Sequence, residues 1–190
     1  WDNGSINLGD ICTYAMYQEN QFQIQATASN ISQVSPPPFS AHFVEVEIDT
    51  ETGELKIVKY VAAVDCGTAI NPKLAEGQIE GSVLNGISWA LTEEYRFTKK
   101  GAMINADFGR YKLFTAADIP EMKTILIPTH EPTGPYGAKS VGEVAINGPA
   151  PAIANAIYDA IRIRFYSLPI TADKIFQRLS YSDFIMTYKQ

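Results

Sequence analysis

The stretch from Ala41 to Asp65 constrains the fold more than any other part of the chain. In "HFVEVEID" apolar and polar residues alternate, "TETGE" supplies a turn around Gly53, and "LKIVKYVAAVD" resumes the alternation. Alternation with period two places one face of a strand in a core and the other in water, and two such runs joined by a short Gly-containing turn make a hairpin. "CGTAINP" then breaks the pattern with Gly67 and Pro72. Residues 73–91 read as a long helix, apolar at Leu74, Ile79, Val83, Leu84, Ile87 and Leu91. Gly77, Gly81 and Gly86 lie inside it. Each costs up to about 1 kcal/mol against Ala in a helix, so close approach to a backbone or a ligand is expected at all three.

Around this centre the signals are shorter. Residues 5–18 carry a helical apolar stripe that Asn7 or Ser5 could cap, and "QFQIQATAS" (21–29) alternates like a strand with one wet face. "SQVSPPPFS" (32–40) is an extended proline connector. "EEYRFTKKGAMIN" suggests a strand and turn with Lys99-Lys100 at its tip, and "KTILIP" a short buried strand. "APAIANAIYDAIRIRF" reads as a helix with Pro149 and Pro151 in its first turn, and "SLPITADKIFQRL" opens a last short helix capped by Thr171. Strands and helices are interspersed without strict βαβ alternation, so the expected class is α+β: mixed sheet hairpins with packed helices.

The 190 residues are 46% apolar and 19% charged, which suits one globular domain or two small ones. A net charge of −6 without a basic stripe argues against nucleic acid and anionic membrane as partners. Trp1 opens the chain without Met and in a polar turn, so a fragment or a processed piece is expected. With no signal-peptide pattern, the expected compartment is the cytoplasm. Cys12 and Cys66 form no CxxC pair, which leaves both as small buried residues. His42 and His130 lack acidic or cysteine neighbours at ligand spacing, and no metal ligand is assigned. Neither a nucleophile elbow nor a phosphate-binding glycine pattern is present.

Two polar residues remain as candidates. Gln78 lies among the helix glycines, where its amide can both donate and accept hydrogen bonds. Glu143 follows Gly142 and precedes Val144-Ala145-Ile146. Such apolar company suits a general base, although an exposed loop glutamate, or one stabilised by the following helix, fits the same residues.

The pattern as a whole resembles the molybdenum-cofactor subunit of the xanthine dehydrogenase and aldehyde oxidase family. "GAKSVGEVAINGPAPAIANAIYDAIRIRFYSLPIT" is similar to its K-x-V-G-E loop, its A-x-x-N-A-I-x-D-A helix and its R-x-x-P-[IL]-T stretch. "VEVEIDTETGELKIVKYVAAVDCGTAINP" resembles its hairpin followed by D-x-G-x-x-x-N-P. "GQIEGSVLNGISWALTEE" and "NADFGRYKLFTAADIPEMK" match its glycine helix and its N-x-x-x-x-x-Y-x-x-x-x-x-x-D-x-P segment. The four segments keep the family's order from about residue 6 to residue 177.

The resemblance implies the C-terminal part of a molybdopterin-binding large subunit, spanning 1–190 and incomplete without an upstream half. It implies a molybdenum hydroxylase that oxidises a purine-like N-heteroaromatic or an aldehyde with water-derived oxygen. Glu143 matches the family's general base, Gln78 a glutamine that hydrogen-bonds the pterin, and Val141 and Gly142 a segment at the cofactor. The implied cofactor is molybdopterin with molybdenum, either without an attached nucleotide or as a dinucleotide. Iron–sulfur and FAD groups are expected on other domains or subunits, and a small-molecule substrate and partner subunits complete the picture. One departure stands out: the family places proline after the glutamate, where this chain has Val144. A non-catalytic docking module derived from the family is the alternative.

Overall fold

The computed structural model describes residues 4–18, 21, 23, 25–29, 31 and 33–187, with side chains described as far as Ser180. The chain forms two compact units, 1–33 and 34–190.

In the first unit, Leu8–Tyr17 form helix α1, and the Asn7 side chain accepts from the Gly9 N–H at 2.8 Å as its N-cap. Cys12 is exposed, which corrects the expectation that both cysteines are buried; Cys66 is buried as expected. No described residue of 21–29 is in a strand, against the alternation read there, and Phe22 and Ile24 lie outside the described residues. Alternation makes a strand only where a neighbouring backbone offers a ladder, and the described residues of this stretch pair with none.

The second unit is built on the hairpin. Strands β1 (Phe39–Ile48) and β2 (Leu55–Asp65) pair antiparallel, with a register shift between Glu45 and Val46. The Asp49 carboxylate shapes the turn by accepting from the N–H groups of Glu51 and Thr52. Strand β3 (Glu121–Leu126) joins the other edge of β2 in parallel, giving a mixed sheet in the order β1-β2-β3. It alternates between exposed and half-buried residues, where a short buried strand was expected. The "RFTKKGAM" turn holds a single Phe97–Met103 bridge.

Helices α2 (Pro72–Leu91) and α3 (Pro149–Ile161) pack against one another and against the sheet. The core joins Tyr60, Ala62 and Val64 of β2 to Ile79, Val83 and Ile87 of α2, to Ile153 and Ile157 of α3, and to Ile170 and Ile175. The i, i+4, i+8 spacing in α2 and the period of two in β2 place these side chains face to face. Helix α4 (Ala172–Thr187) is longer than expected, and Thr171 caps it by accepting from the Lys174 N–H at 3.3 Å. No helix among the described residues is long and apolar enough to cross a membrane. The observed class is α+β, with helices on a mixed sheet.

Candidate functional site

The site is organised by the end of β2 and the start of α2. Asp65, the last residue of β2, accepts on one carboxylate oxygen from the Gly67 N–H (2.9 Å) and the Thr129 hydroxyl (2.5 Å). Its other oxygen meets the Lys139 ammonium at 2.6 Å, with the two side chains only 11% and 16% exposed. These bonds, the Lys139 one foremost, hold the Asp65 carboxyl at about 2, below its ordinary value of 3.8. The Lys139 N–H also donates to the Cys66 carbonyl at 2.7 Å, and its ammonium lies 5.6 Å from the centre of the Phe39 ring. Burial pushes the Cys66 thiol up. Asn71 caps α2 by accepting from the Leu74 N–H, and Pro72 occupies the first turn, where its missing N–H costs nothing. The D-x-G-x-x-x-N-P motif is therefore a strand-end anchor followed by a helix start.

Gln78 and Val141 line one cleft of about 260 Å³ between the start of α2 and the 138–141 loop, together with Cys66, Ala69, Ile70 and Leu74. One turn beyond Gln78, the Ser82 hydroxyl donates to the Gly142 carbonyl at 2.7 Å, tying the loop to the helix. Three of the four expected site residues thus meet at one helix face. Glu143 lies next in the loop, is exposed, and does not line the cleft. Neither its carboxylate nor the Gln78 side-chain amide has a hydrogen-bond partner among the described residues. The burial expected of a base in apolar company is absent here.

The helix glycines divide. At Gly86 an added Cβ would lie 2.7 Å from both the Ile146 carbonyl oxygen and Pro149 Cγ, so this glycine lets the α3 start approach α2. At Gly77 and Gly81 nothing lies within 4 Å of that position, which corrects the expectation of close backbone packing there. Both are exposed, and the helical period puts them on the same side of α2 as Gln78 and Leu74. That face carries an exposed apolar side chain (Leu74 69%), an unpartnered amide and two positions without side chains, and exposed Ile70 lines the adjoining cleft. It suits a planar polar ligand, which needs close approach and a donor–acceptor pair.

Other motif residues turn out to be structural. Asn105 accepts from the Arg96 N–H and donates to the Glu94 carbonyl, while the Tyr111 hydroxyl donates to Glu93 at 2.7 Å. Asp118 closes a capping box with Thr115. Ser82, Asp65 and Lys139 were not singled out by sequence reasoning, although all three lay inside the quoted motifs.

Residues 3–120 match the family described as "Molybdopterin cofactor-binding domain", and the chain belongs to that family. It is 37% identical, over 93% of its length, to a probable hypoxanthine oxidase of Escherichia coli (strain K12), of which it spans 18%. It is 38% identical, over 74% of its length, to an aldehyde oxidoreductase molybdenum-binding subunit of the same organism, of which it spans 20%. Its fold superposes on CO dehydrogenase from Oligotropha carboxidovorans with a TM-score of 0.70 and 32% identity, covering 76% of this chain and 19% of that one. The chain thus spans about a fifth of the length of the curated relatives it matches.

Proposed function

We propose that this chain supplies the catalytic base and part of the cofactor cradle of a molybdenum hydroxylase acting on a purine-like N-heteroaromatic or an aldehyde. The observation that carries the reading is the shared helix face: Gln78 and Val141 line one cleft, Gly77 and Gly81 stand open on the same side of α2, and Ser82 ties the Gly142 carbonyl to that helix. The cleft fits a pterin. Gln78 can donate to and accept from a heterocycle edge, Val141 and Gly142 bring backbone to it, and the two glycines leave room for it.

When bound, the molybdenum cofactor supplies Lewis acidity and a two-electron acceptor. The net reaction places a water oxygen on the substrate carbon and releases two protons and two electrons. Glu143 takes the first of those protons, because its carboxylate stands unpartnered in a loop whose backbone is fixed. The electrons leave through iron–sulfur and FAD groups on other domains or subunits, and the remainder of the molybdopterin subunit completes the substrate pocket. In the complete enzyme, Glu143→Gln is expected to keep its molybdenum content and lose about 10²–10⁴-fold in turnover. Wild-type turnover would remove Glu143 from the reaction and leave a docking module as the better reading.

A further inference from the structure

Val144-Ala145-Ile146 follow the base, so no proline ring fixes the backbone there. Such a loop needs another source of rigidity, and the structure contains one. Ala145 is fully buried in the core, and the Ile146 N–H donates back to the Glu143 carbonyl at 3.2 Å. The Val144 carbonyl receives the Ser40 hydroxyl from strand β1 at 3.1 Å. Ser40 Oγ lies 3.0 Å from His42 Nε2, and His42 Nδ1 lies 2.9 Å from the Tyr60 hydroxyl on β2.

The direction of every bond in this series follows by elimination. A carbonyl only accepts, so the single Ser40 hydroxyl proton points to Val144. Ser40 Oγ must then accept from His42, which places the ring proton on Nε2. The neutral ring leaves Nδ1 bare, and Nδ1 accepts from Tyr60. Burial favours this state on both sides, lowering the pKa of His42 and raising that of the Tyr60 phenol, which therefore stays a donor. The ring is also held sterically. A Cβ on Gly148 would overlap it, so only a glycine at the entrance to α3 lets the backbone close over His42.

We propose that Ser40, His42 and Tyr60 are positioning residues for the base. They run from the core strand β2 through β1 to the Val144 carbonyl, and they set the orientation of the Val144–Ala145 peptide. Together with the Ser82 bond to the Gly142 carbonyl, they hold the peptide before Glu143 and the Val144–Ala145 peptide beyond it, while leaving the Glu143 carboxylate free. The inference rests on the reading of Glu143 as the base.

The test uses the complete, cofactor-loaded enzyme carrying Ser40→Ala, with Ser40→Thr as the rescue. Ser40→Ala is expected to speed hydrogen exchange at the Ile146 amide about tenfold and to lower kcat about tenfold. KM and molybdenum content should stay unchanged, and Ser40→Thr should restore both affected quantities. His42→Phe should reproduce the effect, and the double variant should be no worse than either single one. Unchanged exchange in Ser40→Ala, or faster exchange with unchanged kcat, overturns the proposal, as does additivity of the two substitutions. An inactive Glu143→Gln beside an unaffected Ser40→Ala overturns the relay alone. An active Glu143→Gln overturns the base assignment and the relay with it.

Discussion

Replacing Lys139 by methionine keeps the length of the side chain and removes its charge and its donors. Asp65 would then retain the Thr129 hydroxyl and the Gly67 N–H but lose the ammonium at 2.6 Å. The gap between the ordinary 3.8 and about 2 for Asp65, at about 1.4 kcal/mol per pH unit, corresponds to a net of roughly 2–3 kcal/mol from these bonds after the opposing cost of burial. Lys139 is the largest of them. The pair is slightly exposed, so solvent screens part of the loss, and the expected cost is on the order of 1–2 kcal/mol at neutral pH. Because the folded carboxyl is held below its unfolded value, its contribution is present above 3.8 and disappears as pH falls through about 2. The difference between wild type and Lys139→Met should therefore narrow from about pH 4 downward. Equilibrium urea unfolding across that range is the assay, with Asp65→Asn and the double variant completing a cycle. The double variant should cost less than the sum of the single ones, since it leaves no uncompensated charge. A loss below about 0.5 kcal/mol, or strict additivity, would refute the reasoning.

His42 gives a second pH signature of the same sign. Its folded pKa is lowered, so the neutral ring stabilises the fold above about 6.5 and that stability is lost as pH falls; Tyr60 is the titratable group bonded to it. His42→Phe should flatten the acid limb of a stability–pH curve measured by urea unfolding, and an unchanged limb would exclude the ring as its source. Gly86→Ala should destabilise by about 2 kcal/mol or more, because its Cβ meets the Ile146 carbonyl and Pro149 at 2.7 Å. Gly77→Ala and Gly81→Ala should each stabilise the chain by up to about 1 kcal/mol in thermal unfolding, yet lower the molybdenum content of the complete enzyme.

What could be read from sequence followed from how local its cause is. The β1–β2 hairpin, the α2 and α3 helices and the caps at Asn7 and Thr171 were legible, since period, turn and capping chemistry act within a few residues. The parallel pairing of β2 with β3 was not, because its register is set across α2 by packing and no nearby residue encodes it. Residues 21–29 failed in the other direction: the alternation is there, but no ladder partner among the described residues accompanies it. The helix glycines showed the same limit. Sequence could say that three glycines in one helix need a reason, and only the placement of the Pro149 turn gives Gly86 a different reason from Gly77 and Gly81. Ser40 and Ser82 carried no signal, since single serines are common and their partners lie far along the chain.

The division of hydrogen bonds between side chains gives Glu143 its meaning. Asp65, Asp107 and Asp118 each use their carboxylate oxygens on neighbouring donors, and each fixes a strand end, a turn or a capping box. Glu143 contributes only its backbone, which accepts from Ile146, while the carbonyls of its two neighbours, Gly142 and Val144, are held by Ser82 and Ser40. A solvated surface glutamate would also have free oxygens, but it would not need its flanking carbonyls secured from a helix and from a strand at once. Such anchoring costs conformational entropy and adds nothing to the interactions of the side chain it surrounds. It is accounted for if the position of the Glu143 carboxylate matters while its acceptor capacity stays unused. That is the requirement of a base that must meet its proton in a fixed direction.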